Sequence, residues 1–293
     1  MKEYFPVDHV RDEIFRVYEQ VLRLRIAPAE PPLPTWHDDV TSYVVKDARL
    51  PEDGPFFCPF FCSFLLIILV FLAEGSVLGY FYLDLYPRDG KFSHQCVVPI
   101  CPSYTRANGS RQLPVAANIG NLPRTSATAP GLLYHSQVVT FFHEFGHVIH
   151  ALCTRSEQSL LSWAWSAVPY PGGVEHDYLE VPSQMLENWT WDPSVLARLS
   201  KHYETGKPLD GELVARIIKA RAVGEGYRYT RQATMSLIDM ILHKDEGAAE
   251  RADEIAAKML NEKLIMDTVG TNGENWANLV RLSGKGWPIV IPI

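Results

Sequence analysis

His143, Glu144 and His147 stand in the order H-E-x-x-H within Thr140-Phe-Phe-His-Glu-Phe-Gly-His-Val-Ile-His150. On an α-helix, histidines four residues apart lie one above the other on a single face. Two neutral imidazoles so placed hold one Zn²⁺, and the Glu beside the first acts as a base on zinc-activated water. That is the core of a metallopeptidase site. The segment itself suits a helix, with Val138, Val139, Phe142, Phe145, Val148, Ile149 and Leu152 supplying apolar surface around the three residues. Gly146 costs such a helix about 1 kcal/mol relative to Ala, which implies that another backbone or a ligand passes close to it. A core helix with satisfied histidines is the competing reading.

Two histidines and a water leave one zinc position for another protein ligand. His150 shares the helical face, but as a ligand it would close the position that a catalytic zinc keeps open. It is expected to support the site rather than bind metal. Downstream candidates are Glu157, Glu175, His176, Asp177, Glu180 and Glu187. Glu180 opens a helical pattern and Glu187 follows about two turns later on the same side. One of the pair would bind the metal and the other orient a ligand. Spacing leaves the choice open.

The elements that must carry these residues come next. Residues 6–25 repeat Val7, Val10, Ile14, Val17 and Val21 at helical spacing, and the Pro-rich 26–35 reads as loop. His37 to Lys46 and Gly79–Leu85 read as strands, with Phe92–Val98 returning to pair with the latter as a hairpin. A short strand falls at Leu113–Ile119. The motif helix is expected from Ser136, as N-cap, to Cys153. Further helices fit Glu180–Trp191, Ser194–Thr205, Glu212–Ala222, Thr230–His243 and Ala248–Lys263. The expected class is mainly α with a small β-sheet.

Bulk properties narrow the function. The chain has 293 residues, 47% hydrophobic and 21% charged, with a net charge of −7. That balance suits a globular core and argues against a nucleic-acid partner. Five cysteines, odd in number and widely scattered, do not make a disulfide framework and point to a reducing compartment. Cys96 and Cys101 match no zinc-ribbon spacing and read as buried thiols. The N-terminus lacks the apolar stretch of a signal peptide and starts abruptly, like the middle of a domain. Residues 55–73 carry no charge and include an apolar run of roughly the 20-residue length that spans a bilayer. Pro55 and Pro59 and the absence of close Lys or Arg flanks weigh against a membrane helix.

Phe142-His-Glu-Phe-Gly-His-Val-Ile-His150 followed by Tyr178-Leu-Glu-Val-Pro-Ser-Gln-Met-Leu-Glu-Asn-Trp189 resembles the thimet oligopeptidase, neurolysin and saccharolysin family of zinc endopeptidases. Lys2-Glu-Tyr-Phe-Pro6, Gly79-Tyr-Phe-Tyr-Leu-Asp-Leu-Tyr-Pro-Arg-Asp-Gly-Lys91, Gly109-Ser-Arg-Gln112 and Ser200-Lys-His-Tyr-Glu-Thr-Gly206 extend the resemblance over most of residues 1–282. It implies His143, His147 and Glu180 as ligands of one Zn²⁺ and Glu144 as general base. His150 and Glu187 remain the candidates for supporting the ligands. It also implies a zincin-type, mostly helical catalytic domain and a channel for short, unstructured peptides. The strand holding Gly79, Tyr80 and Phe81 would be its cleft-edge strand. A monomer in the cytoplasm is the family-like expectation, with mitochondria as the alternative.

The chain also departs from this family. The whole of 1–293 reads as a fragment of the catalytic domain, without the N-terminal helical half that forms one channel wall. The apolar run 55–73 and the long 157–173 stretch look like insertions, of the kind that a translated intron or shifted frame produces. The tail 283–293 does not follow the family, whose Gly- and Tyr-rich oxyanion loop would stand there. The alternatives are therefore a catalytically impaired zinc- or peptide-binding relative, and a protein attached to a membrane through 56–71.

Overall fold

The computed structural model describes residues 1–48, 76–126, 129–159, 162, 173–174, 178–245 and 247–264. The expectations for 55–73, for most of 157–173 and for the C-terminal tail lie outside these residues. Among the described residues, no helix is long and apolar enough to cross a membrane. The chain divides into two compact units, residues 1–175 with 179–214, and residues 176–178 with 215 onward.

The first unit holds the sheet and the motif helix. Helix α1 (Val7–Leu22) buries Val7, Val10, Ile14, Val17 and Tyr18, the stripe expected from the sequence. Arg23, at φ 53°, turns the chain out of the helix, and β1 (Leu24–Pro28) follows at once. The Pro-rich stretch thus begins as a strand, not a loop. Pro28 is tolerated because β1 is an outer strand, paired only with β2 (Thr41–Asp47) among the described residues. The Glu19 carboxylate accepts the Ile26 N–H at 2.8 Å and pins the start of the strand.

Next come β3 (Val77–Asp84), β4 (Cys96–Cys101), the short pair β5 (Tyr104–Thr105) and β6 (Arg111–Gln112), and β7 (Val115–Ile119). The larger sheet runs β1-β2-β3-β7-β4 and is mixed: β3 and β7 are parallel, the other pairs antiparallel. The expected hairpin between the Gly79 strand and the Phe92–Val98 segment does not form. β7 arrives later in the chain and takes the place between them.

Helix α2 (His135–Cys153) carries the motif across one face of this sheet. It begins two residues earlier than expected, with Tyr134 in place of Ser136 at the cap. The Gln137 side chain accepts the Tyr134 N–H at 2.9 Å. An aromatic cluster joins α1, the sheet and α2. Phe81 meets Phe145 at 5.3 Å between ring centroids and Phe15 at 5.9 Å, and Tyr18 meets Phe145 edge-on at 4.9 Å. Gly79 lies under the far end of α2, where a Cβ would stand 2.8 Å from the Leu152 side chain and 2.6 Å from the Pro114 carbonyl. At the C-terminus of α2, the Arg111 guanidinium donates to the Thr154 carbonyl, a favourable position for a cation.

Helix α3 (Val181–Glu187) continues as a 3₁₀ turn (Asn188–Trp191), so the helical pattern expected over 180–191 is present in two forms. Helix α4 (Pro193–Leu199) is capped by Asp192 and is shorter than the pattern that suggested 194–205. Helix α5 (Gly211–Arg221) follows. In the second unit, α6 (Glu225–Lys244) and α7 (Ala252–Lys263) pack through Met235, Ile238 and Ala256. Helix-rich with a small mixed sheet, the architecture matches the expected class.

Candidate metal centre

Two helices deliver the site. On α2, His143 and His147 project from one face, as their spacing requires, with ring centroids 4.9 Å apart. Glu180 occupies the N-cap position of α3 without a side-chain capping bond, and Pro182 fits the first turn without losing a hydrogen bond. The Oε2 of Glu180 lies 3.1 Å from the Nε2 of His143 and 3.1 Å from the Nε2 of His147. The two Nε2 atoms are 3.2 Å apart. Ligand atoms of His143, His147 and Glu180 all fall within 4.8 Å of one another, the group of metal-ligating side chains found among the described residues.

The helices are tied together at two further points. At Gly146, an added Cβ would stand 2.9 Å from the Cα of Ser183, so the close backbone expected from this glycine is α3 itself. At the start of α2, the buried His135 ring contacts the Thr190 carbonyl at 3.1 Å and packs edge-on against Trp191 at 4.5 Å. Burial pushes the His135 pKa down, outweighing its backbone hydrogen bond. Below α2, the buried Tyr18 hydroxyl donates to the Phe142 carbonyl at 2.7 Å. Tyr18 lies 124 residues away in sequence, so no local pattern could have revealed it.

Electrostatics follow from this packing. Burial pulls the His143 pKa down, but the hydrogen bonds it donates to the Glu180 and Glu187 carboxylates more than reverse that and raise it to about 10. The same two imidazoles hold the Glu180 carboxyl well below the usual carboxylate range, against the effect of burial. A ligand histidine must be neutral, so metal binding here displaces a proton that these carboxylates otherwise retain. Glu144 behaves differently. Burial raises its pKa, His143 and His147 oppose the rise, and Glu180 adds to it.

Glu187 meets the other nitrogen of His143: its Oε1 lies 2.7 Å from Nδ1. This contact leaves Nε2 as the nitrogen that faces Glu180, an arrangement that fixes both tautomer and ring orientation of a metal-binding histidine. The two glutamates thus take different positions, Glu180 facing both Nε2 atoms and Glu187 the Nδ1 of His143. His150 stands apart from the cluster. It lines a cavity with Leu22, Leu24, Leu78 and Cys153, and burial, with His147 adding to it, pushes its pKa down to about 4. Glu157 lies beyond α2, where its carbonyl accepts the Thr105 N–H at 3.0 Å. Glu175, His176 and Asp177 are outside the described residues. Cys96 and Cys101 are half-buried and Cys153 is exposed, and none of the three is in a disulfide among the described residues.

The expectation that Gly79, Tyr80 and Phe81 line a cleft edge is incorrect. Tyr80 pairs with Val44 on one side and Val115 on the other, and Phe81 with Tyr43 and Ala116. Both edges of β3 are occupied, and no further strand can add there. The outer strand on that side of the sheet is β4, paired only with β7 among the described residues. Its first residue, Cys96, is near enough to Glu144 for the carboxylate to help raise the thiol pKa, after burial.

Two nitrogens and one carboxylate oxygen are donors of the kind that catalytic zinc sites use, so these three residues could hold a metal ion. The sequence profile of peptidase family M3 matches residues 67–283. A thimet-like oligopeptidase of Dictyostelium discoideum is 36% identical over 250 residues, covering 85% of this chain and 32% of that protein. Saccharolysin of Saccharomyces cerevisiae is 32% identical over 245 residues, 83% of this chain and 30% of its own length. Oligopeptidase A of Escherichia coli is 31% identical over 252 residues, 85% and 32%. The chain thus spans about a third of the length of these relatives.

Proposed function

Because this chain belongs to peptidase family M3, we propose that it carries the zincin-type catalytic core of a zinc-dependent endopeptidase acting on short, unstructured peptides. The observation that carries this reading is the convergence within 4.8 Å of His143 Nε2 and His147 Nε2, on the helix that also bears Glu144, with Glu180 Oε2 from the start of α3. The names of the relatives, all oligopeptidases or saccharolysin, support the substrate class.

His143, His147 and Glu180 would hold the ion. A bound Zn²⁺ supplies Lewis acidity, polarising the scissile carbonyl and lowering the pKa of water towards about 7. Glu144 accepts a proton from the attacking water as its oxygen bonds to the carbonyl carbon. It then passes that proton to the departing amine nitrogen as the C–N bond breaks. Glu187 keeps His143 in the required tautomer throughout. The peptide backbone would lie along the outer edge of β4, which has no partner strand among the described residues, and main-chain hydrogen bonds would align it irrespective of side chains. A reducing compartment, the cytosol foremost, fits five cysteines that are odd in number and widely scattered.

Hydrolysis of an internally quenched peptide by the purified chain tests this reading. Turnover should vanish on treatment with a chelator and return on adding about one equivalent of zinc. Turnover that survives complete removal of zinc would overturn it.

A further inference from the structure

Ser183 lies fully buried in the first turn of α3, three residues after Glu180. Its Oγ stands 2.7 Å from the Glu180 Oε2 and 3.0 Å from the Glu180 carbonyl oxygen. A hydroxyl has one hydrogen to donate. The shorter contact, to an ionised oxygen, is the stronger claim on it. Oε2 is also the oxygen that lies 3.1 Å from both His143 Nε2 and His147 Nε2. The carboxylate oxygen facing the two imidazoles is therefore the one that Ser183 holds. The terminal torsion of a glutamate is broad and roughly two-fold, so a fixed donor on one oxygen sets the plane of the group.

Gly146 is the counterpart of this arrangement. It falls between the two histidines in sequence, and a Cβ there would approach the Ser183 Cα to 2.9 Å. The missing side chain lets the turn that bears Ser183 lie directly against the motif helix. An α2 with Ala at this position would push away the hydroxyl together with the carboxylate it orients.

We propose that Ser183 is a positioning residue for the metal centre, fixing the Glu180 carboxylate towards His143 and His147, with Gly146 as its seat. This rests on the reading of these three residues as metal ligands. The pattern Glu180-Val-Pro-Ser183 contains the spacing, but only the fold shows that the serine faces the carboxylate.

The test compares wild type with Ser183→Ala by zinc affinity, in competition with a chromogenic chelator, and by the visible spectrum of the cobalt(II)-loaded protein. Ser183→Ala should weaken zinc binding about 10–100-fold, the usual effect of removing a group that orients a ligand. It should also shift the cobalt bands, because the ligand field changes when Glu180 turns. A cobalt spectrum identical to wild type would overturn the inference whatever happens to affinity, since loss of packing alone leaves the ligand field intact. A wild type that takes up neither metal would instead remove the metal centre itself, and the inference with it.

Discussion

Glu144→Gln is expected to lower peptide turnover by about 10²–10⁴-fold, the range associated with removal of a general base, while zinc content stays at the wild-type level. Three observations set this expectation. Glu144 is on α2 between the two histidines but is not among the side chains whose donor atoms converge. Its burial and the neighbouring Glu180 raise its pKa, so its affinity for a proton exceeds that of an ordinary surface carboxylate. Gln has nearly the same shape, which leaves the packing of α2 undisturbed, but it cannot accept and return a proton. Initial rates on a quenched peptide, with zinc measured on the same samples, separate the two effects. Equal cleavage by both proteins would show that Glu144 is not the base. Loss of zinc in the variant would show that it is needed to build the site.

Asp84→Asn should destabilise the first unit by about 3–5 kcal/mol, the range for breaking a buried ion pair by removing one partner. Asp84 ends β3 and is 1% exposed. Arg88 donates to both its oxygens at 2.6 and 2.7 Å, Lys91 to Oδ1 at 2.8 Å, and the Trp36 indole to Oδ2 at 2.9 Å. The Lys91 side chain is only 4% exposed, so the substitution leaves an ammonium group buried without its counter-charge. Its remaining bonds, to the carbonyls of Asp84 and Tyr86, do not neutralise it. Burial alone would raise the Asp84 pKa, but these donors hold it well below the usual carboxylate range.

The pH dependence follows in sign. A carboxyl with a folded-state pKa below its unfolded value contributes stability that is complete above about pH 4 and is lost as pH falls further. Urea unfolding at pH 7 and near pH 3 should therefore show a large gap between wild type and Asp84→Asn at neutral pH and a smaller one in acid. A gap independent of pH would refute the charge account of this cluster.

Much of the site was legible because its information is local. Helical period places His143, Glu144 and His147 on one surface, and the apolar residues around them show which face is buried. Glu180 and Glu187 were visible as a pair but not by role. Seven residues of helix put both on the same side, and only the packing of α3 against Gly146 decides which carboxylate reaches the two Nε2 atoms. Tyr18 and Ser183 depend on contacts that a linear pattern does not encode.

The sheet shows the same division. His37 to Lys46 and Leu113–Ile119 read as strands because β-branched and apolar residues cluster there. Their order did not follow, since β7 joins β3 in parallel and separates it from β4. A strand as apolar as β3, with Phe81 and Leu83 buried, belongs at the centre of a sheet. That composition argued against a cleft-edge position for Gly79, Tyr80 and Phe81. β1 was hidden by Pro28 and the prolines that follow it, which an outer strand accommodates.

Zinc stoichiometry tests the metal centre most directly. Equilibrium dialysis of the wild type should give one zinc per chain. Glu180→Ala, which removes a ligand, should lose it under conditions where Glu187→Gln retains it with affinity reduced about 10–100-fold. A wild type that binds no zinc, or a Glu180→Ala protein that binds one equivalent as tightly as wild type, would contradict the assignment of His143, His147 and Glu180 as the ligand set.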